Sequence, residues 1–105
     1  MRLRRRHHGP PGATVYYLGW SGLSMPRRPT DPTSEAEAVH RQSFYRAEYD
    51  DQGRLATFTK IMNGQIQWSD EYRYWDNGKL RERTMTRVDG SQVHEDYDRR
   101  GKLVR

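Results

Sequence analysis

The second half of the chain alternates between apolar and polar residues. Within residues 65–74, the apolar side chains fall on one side of an extended chain and most polar side chains fall on the other. The apolar positions are Ile66, Trp68, Tyr72 and Tyr74. This period of two is typical of a strand with one buried face and one solvated face. Asn63-Gly64 and Asp89-Gly90 separate such segments and predict type I′ hairpin turns, which require two residues that tolerate positive φ.

A different pattern occupies the first part of the chain. Thr14 to Trp20 is β-branched and aromatic and predicts a first strand. The Pro-rich run from Pro26 to Pro32 then predicts a loop. Ser34 and Glu37 have the spacing of a capping box, so we expect a short helix over roughly residues 33–42.

These patterns divide the chain into a tail and one domain. Residues 1–13 are rich in Arg, Gly and Pro and show no periodicity, so we expect a disordered basic tail. Residues 14–105 are expected to form a single, mainly β domain. Its first strand, loop and helix occupy residues 14–42, and an antiparallel meander occupies residues 43–105. The expected total is six to seven strands with one short helix.

A repeated motif occurs three times in the second half of the chain. Each copy has Tyr, three mostly polar residues, Gly, a basic residue and Leu, and the copies begin at Tyr49, Tyr74 and Tyr97. We interpret each copy as a hairpin in which Tyr ends one strand, Gly takes a left-handed conformation and Leu starts the next strand. Spacings of 25 and 23 residues between the glycines indicate stacked units that bury their faces against their neighbours.

The motif Tyr-Asp-x-x-Gly-[Arg/Lys]-Leu resembles the hairpin unit of YD-type and MORN-type repeats, over residues 45–105. The middle copy departs from it, since Trp75 stands where Asp is expected. The wider layout over residues 14–105, including the run FYRAEYDDQGRL, resembles a small bacterial family of unknown function. These resemblances imply a hairpin-repeat fold. Because such repeats occur in antitoxin-like proteins, they also suggest an immunity or antitoxin-like role.

The composition indicates the cellular compartment of the protein and the class of partner that it binds. The chain has no cysteine, and no apolar segment approaches the ~18 residues of a membrane span. We therefore expect a cytoplasmic protein without a membrane partner. The net charge is +5, but residues 1–42 carry seven arginines against three acids, whereas residues 43–105 carry twelve basic residues against eleven acids. The excess positive charge thus belongs mostly to the first segment.

Motifs for catalysis or metal binding are weak. Gly19-Trp20-Ser21-Gly22-Leu23 differs from a nucleophile elbow, which requires Gly in place of Leu23. The histidines show no recognised ligand spacing, and His94 is expected to face solvent. We expect no catalytic residues, no metal, no cofactor and no enzymatic activity.

Asp70 lies on the same predicted face as Trp68 and Tyr72. A carboxylate on that face must be hydrogen-bonded or paired, or it must lie in a site. If the meander closed into a barrel, these three residues would line a pocket for a small polar ligand. The alternative is a satisfied structural bond to a Tyr hydroxyl or to an Arg.

Two surfaces are candidates for binding a partner. Arg81, Arg83 and Arg87 alternate along one predicted strand, with Arg73 among their expected cross-strand neighbours, and Trp75 replaces a polar turn residue beside them. This row favours a protein–protein interaction module with an unidentified protein partner. Nucleic-acid association is the second hypothesis, and it also draws on the basic tail, specifically Arg2, Arg4, Arg5 and Arg6. If the sheet is open, edges at the first strand and at residues 102–105 would allow a homodimer.

Overall fold

The computed structural model describes residues 9–105, which form seven strands and one short helix. The strands are β1 (Thr14–Ser21), β2 (Arg28–Thr33), β3 (Ser43–Tyr49), β4 (Leu55–Met62), β5 (Gln65–Tyr74), β6 (Leu80–Arg87) and β7 (Gln92–Asp96). The helix, α1, spans Glu35–Ala38. Helix α1 is too short to cross a membrane, and within residues 9–105 no other helix is a candidate. The mainly β class with one short helix is confirmed.

All seven strands belong to one open antiparallel sheet in the order β2-β1-β3-β4-β5-β6-β7. The two edges are therefore β2 and β7, and β1 is an inner strand between β2 and β3. The prediction of a loop from Pro26 to Pro32 was wrong over β2, and so was the prediction that the first strand is an edge. Pro29 and Pro32 lie within β2. Proline is tolerated there because an edge strand has neighbouring hydrogen bonds on one side only.

Helix α1 is shorter than the predicted segment 33–42. Ser34 is its N-cap, and the Ser34 hydroxyl accepts a hydrogen bond of 3.1 Å from the Glu37 amide, as the capping spacing predicts. The helix ends early because the chain turns toward β3, where the Gln42 carbonyl accepts a hydrogen bond of 2.7 Å from the Asn63 amide. That bond fixes the start of β3 beside the β4–β5 turn.

The two predicted type I′ turns differ in the structure. Asn63 and Gly64 both have positive φ, of 52° and 78°, as a type I′ turn requires. At the second turn only Gly90 has positive φ, of 87°. There the Arg87 amide donates to the Ser91 carbonyl and the Gly90 amide donates to the Arg87 carbonyl, at 2.9 Å each. This loop holds three residues rather than two, so the type I′ prediction at Asp89-Gly90 was wrong.

The three copies of the repeated motif form turns with one common backbone pattern. In each copy, the residue after Tyr donates its amide to the carbonyl of the basic residue, over 2.8 to 2.9 Å. Tyr and Leu of each copy lie directly opposite one another, as Tyr49 with Leu55, Tyr74 with Leu80 and Tyr97 with Leu103. In the first two copies the turn thus places both side chains at the same level of the core, whereas Leu103 of the third copy is 57% exposed.

Trp75 changes the side-chain part of the middle turn but not its backbone. In the first copy the Asp50 carboxylate accepts hydrogen bonds from the Gln52 and Arg54 amides, at 2.9 Å each. Trp75 cannot accept such bonds. In its place the Asn77 side-chain oxygen accepts a 2.9 Å hydrogen bond from the Lys79 amide. One Asx bond therefore compensates for the missing aspartate.

Residues 9–13, which the composition assigns to the disordered tail, pack against the β3–β4 turn. The Gly9 amide donates to the Gly53 carbonyl, and the Gly12 amide donates to the Asp50 carbonyl, at 2.8 Å each. A Cβ on Gly9 would come within 2.6 Å of the Tyr49 ring, so only glycine allows this approach. Periodicity gave no sign of this packing because the contacts are made by backbone atoms.

The sheet has two faces with different cores. The Phe58 face carries the larger core, formed by Ala47, Tyr49, Leu55, Phe58, Tyr72 and Leu80, and the β1–β2 loop folds over it through Met25. The Phe44 face carries a small core in which Ala38 of the helix meets Phe44 and Ile61. Ile66, predicted to share a face with Trp68, instead lies opposite Ile61, because the β4–β5 register shifts between Lys60 and Ile61. Ile66 is accordingly half exposed.

Candidate functional site

A row of aromatic and cationic side chains crosses five strands on the Phe58 face. Successive strand pairings place these residues directly opposite one another, in the order Tyr17, Tyr45, Lys60, Trp68 and Arg87. We call this set the aromatic–cation rung. Its first four members are partly buried, and Arg87 is exposed. The rung therefore places rings and positive charges in one line across the sheet, each at least partly exposed to solvent.

The rings of the rung are held in place by the core beneath them. Tyr45 stacks on the buried Phe58, with ring centroids 5.2 Å apart and planes inclined by 7°. Trp68 packs at a tilt against both rings, with centroids 6.0 Å from Tyr45 and 6.1 Å from Phe58. The Lys60 ammonium lies 5.9 Å from the centre of the Tyr45 ring. Since both rings are fixed by packing, they lose little conformational freedom when a partner covers them.

Neither cation of the rung makes an ion pair in the part of the chain that the structure describes. The Asp89 carboxylate in the next turn lies near Arg87, and its pKa is lowered by the Ser91 hydrogen bonds and by the Arg87 charge. Arg87 donates to the Ser91 hydroxyl at 3.2 Å, and Lys60 makes no ion pair within residues 9–105. Elsewhere in this range, arginines on the sheet are commonly paired, as Arg46 is with Glu48. Positive charge on the rung is thus available to an outside anion.

Arg27 of the β1–β2 loop connects the rung to the buried polar residues. Its guanidinium lies 4.4 Å from the Trp20 ring centre and 4.5 Å from the Trp68 ring centre. Its Nε atom donates to Asp70 Oδ2 at 2.8 Å, and its amide donates to the Tyr72 hydroxyl at 3.2 Å. Arg27 therefore fixes the loop to the sheet and packs against the Trp68 ring of the rung.

Asp70 is the centre of a buried charge network. The carboxylate has no solvent exposure and receives the Tyr72 hydroxyl at 2.7 Å in addition to Arg27. Arg83 Nη2 lies 3.2 Å from the other oxygen, in an ion pair whose angle falls short of a hydrogen bond. Burial and the neighbouring Asp70 charge raise the pKa of the Tyr72 hydroxyl far above its ordinary value. Tyr72 therefore stays protonated and donates.

The network continues toward β7 through Arg83 and Glu95. Arg83 donates to the Glu95 carboxylate at 3.1 Å, and the Tyr97 hydroxyl donates to the same oxygen at 2.8 Å. Burial opposes ionisation of Glu95, but the bonds from Tyr97 and Arg83 outweigh it and hold the Glu95 pKa below its ordinary value. Asp70 and Glu95 thus offset the two guanidinium charges.

The predicted pocket residues lie together, but the Asp70 carboxylate among them is fully buried. Trp68, Asp70 and Tyr72 share the Phe58 face, as their spacing predicts. The sheet is open rather than closed, and Asp70 is fully buried between two arginines. Of the two interpretations of Asp70, the geometry is that of a structural bond, in which Oδ2 accepts from Arg27 and Tyr72 and Oδ1 has only the ion-pair contact with Arg83.

The four arginines of the predicted row lie in four different environments. Arg83 is 6% exposed and belongs to the buried network, because its cross-strand neighbours are Tyr72 and Glu95. Arg73 lies on the Phe44 face opposite Glu82, 3.7 Å from its carboxylate. Arg81 is exposed beside Trp75, and Arg87 ends the rung. The four arginines therefore do not form one surface.

Trp75 joins two of the glycine turns. Its indole nitrogen donates to the carbonyls of Tyr97 and Asp98, at 3.2 and 3.1 Å. The guanidinium groups of Arg81 and Arg99 lie over its ring at 4.9 and 4.7 Å. The ring is half-buried, so a large part of its role is to hold the β5–β6 turn against the last turn. The tail residues Arg2, Arg4, Arg5 and Arg6 lie outside the described residues.

Three potential metal ligands meet on the Phe44 face. Glu82, His94 and Asp96 each bring one donor atom within 4.8 Å of the others. All three already have partners, since His94 Nε2 lies 3.1 Å from Asp96, Arg105 pairs with Asp96, and Arg73 approaches Glu82. His94 is half exposed, in agreement with its predicted orientation. The arrangement is that of a surface charge network.

Lys60 of the rung and the anchor Arg27 were not singled out in the sequence. A signal exists for Lys60 alone, which occupies an apolar-face position two residues after Phe58 in β4. A cation at such a position indicates either a buried pair or an exposed end of the core face.

Comparison with known proteins identifies the family but not an activity. Searches of the curated proteins and of the solved structures gave no match. The model of a family of unknown function, DUF6156, matches residues 10–105, which covers the whole sheet and the segment packed on Tyr49. The chain therefore belongs to the family of unknown function DUF6156.

Proposed function

We propose that this chain is a non-enzymatic protein-docking module of the cytoplasm, which binds an acidic surface of another protein through the aromatic–cation rung. The observation that carries the proposal is that Lys60 and Arg87, which make no ion pair within residues 9–105, lie in one row with three aromatic rings. Tyr, Trp and Arg are the residues enriched at the energetic centres of protein interfaces. The mixture of rings and cations in the rung favours a partner surface that carries both carboxylates and apolar groups.

The contribution of each part of the rung follows from its burial. Trp68 and Tyr45 are partly exposed rings on a rigid base, and covering them removes apolar area from water at little entropic cost. Lys60 and Arg87 accelerate encounter with an acidic surface and select against basic ones. The binding energy is therefore expected to come mainly from the rings, and the specificity from the cations.

An immunity or antitoxin-like role is the narrower form of this proposal. It depends on the resemblance of the three glycine turns to YD-type and MORN-type repeats. The shared turn pattern and the opposed Tyr–Leu pairs support a hairpin-repeat interpretation. Such a role requires a stoichiometric complex that persists at moderate salt, because ring burial is insensitive to screening.

The test is affinity capture from source-organism lysate with charge-reversal variants. We expect one acidic protein to be recovered by the full-length chain at low and high salt, after nuclease treatment. Lys60→Glu with Arg87→Glu should abolish the recovery. Arg73→Glu is the matched control, because Arg73 is an exposed cation on the opposite face, and it should leave the recovery unchanged.

Three results would contradict the proposal. Equal loss with Arg73→Glu would move the docking surface to the Phe44 face. Recovery that needs intact nucleic acid, and that disappears when residues 1–8 are removed, would favour the nucleic-acid hypothesis. Recovery that is unchanged by the double reversal would show that the rung is not the docking surface.

A further inference from the structure

A cavity of about 310 Å³ lies at the glycine-turn end of the Phe58 face, between the β1–β2 loop and the three glycine turns. The buried side chains of Leu55 and Leu80, with Tyr74 beside them, form its apolar part. Arg54, Lys79 and Arg100 form its cationic part. At about 30 Å³ for each water molecule, the volume suits a ligand of about ten non-hydrogen atoms.

The residues that line this cavity carry positive charges and no compensating negative charge. Three cations line it, and no carboxylate does. Asp50 pairs with Arg54 at 3.1 Å, but Lys79 and Arg100 make no ion pair within residues 9–105. A concave apolar surface with a few convergent polar groups is the usual form of a small-molecule site.

The glycine turns open the cavity. A Cβ on Gly101 would lie 3.5 Å from the Lys79 Cδ atom, an ordinary van der Waals distance, so the Lys79 side chain extends to the last glycine turn. Gly101 has a φ of +88°, a conformation that other residues rarely adopt. The motif that shapes the hairpins therefore also keeps side-chain atoms away from the space beside Lys79.

We infer that this cavity binds a small amphipathic anion, namely a carboxylate or a phosphate monoester attached to an aromatic or short aliphatic body. The apolar body covers Leu55, Leu80 and the Tyr74 ring. The anionic group meets Lys79 and Arg100, where charge-assisted hydrogen bonds replace its water. The cavity is separate from the aromatic–cation rung. A negative result for the docking proposal therefore leaves the anion-binding inference unaffected, and the reverse also holds.

The test compares charged and neutral probes of the same shape by calorimetry and amide chemical shifts. Phenylacetate should bind at least about tenfold more tightly than phenylacetamide, which lacks the charge. Its chemical-shift changes should centre on Leu55, Tyr74 and Leu80. Phenyl phosphate in a parallel titration decides between the two anionic groups, by whichever of the two binds more tightly.

Substitutions of the cations that line the cavity test which residues recognise the anionic group. Lys79→Gln with Arg100→Gln should weaken phenylacetate to the affinity of phenylacetamide, about tenfold. Lys102→Gln removes an exposed cation that does not line the cavity and should leave binding unchanged. Unchanged unfolding temperatures establish that each variant is folded. The inference is overturned by equal affinity for the amide, by shifts centred on Lys60, or by no saturation at millimolar phenylacetate.

Discussion

Replacing Asp70 with Asn tests the buried charge network directly. The substitution keeps the size of the side chain but removes the charge that pairs with Arg27 at 2.8 Å and Arg83 at 3.2 Å. Arg83 retains Glu95 as a partner. Arg27 retains no carboxylate within residues 9–105, and its side chain is only 10% exposed. An uncompensated guanidinium therefore stays largely out of water.

The expected cost is about 3–5 kcal/mol, the range for removing one partner of a buried ion pair. The lower end applies here, because Asn can still accept one hydrogen bond and Arg83 remains paired. Domains of this kind have a free energy of unfolding of about 5–15 kcal/mol, so the loss is a large fraction of the total. Urea denaturation followed by tryptophan fluorescence measures it, with Trp68 as a nearby reporter.

Glu82→Gln is the matched control for Asp70→Asn. It removes a carboxylate from an exposed pair, in which Arg73 lies 3.7 Å away and is 79% exposed. Exposed pairs contribute about 0–1 kcal/mol, so the control should unfold close to the wild-type midpoint. If Asp70→Asn also stayed within 1 kcal/mol of wild type at an unchanged denaturant slope, the reasoning that this network anchors the loop would be refuted.

Three further predictions follow from the turns and from Glu95. Asp50→Ala removes the acceptor of two turn amides and should cost about 1–2 kcal/mol in urea denaturation. Trp75→Phe keeps the ring but loses the indole donor to two carbonyls, so the unfolding free energy should fall by about 1 kcal/mol. Because the Glu95 pKa is lowered in the folded state, its stabilisation is complete above the unfolded pKa of about 4.3 and declines as pH falls below it. Unfolding temperatures between about pH 3 and pH 6 should therefore depend less on pH in Glu95→Gln than in wild type.

The strands of the meander could be predicted because each one is indicated by the pattern of apolar and polar residues within its own segment. Alternation in β5 places Trp68, Asp70 and Tyr72 on one face, and the Tyr–Leu spacing of the turns matches their opposed positions. Strand β2 could not be predicted in this way. Pro29 and Pro32 are usually evidence against a strand, and only its place at the edge makes them acceptable.

The positions of the rung residues and of Arg27 depend on contacts between residues that are far apart in the sequence. A local sequence pattern does not encode such contacts. Which residue stands opposite Lys60 is decided by a register shift at the next residue of β4. A slip of one residue would move the whole strand face to the other side of the sheet. Arg27 reaches Asp70 across 43 positions of sequence, from a loop with no periodicity. A polar residue on the apolar face signals that a partner is needed, but it does not say which residue provides it.

Arg27 couples the stability of the sheet to the proposed docking surface, and this decides which substitutions can separate the two. Its guanidinium pairs with Asp70 and also lies over Trp68, so Arg27→Met would disturb the core and the rung together. Lys60 and Arg87 are separated from Asp70 by their place at the exposed end of the face, and they make no ion pair with it. Loss of partner binding after charge reversal at these two positions, with an unchanged unfolding free energy, would therefore report on docking alone. Loss of both would place the rung inside the folding core rather than at an interface.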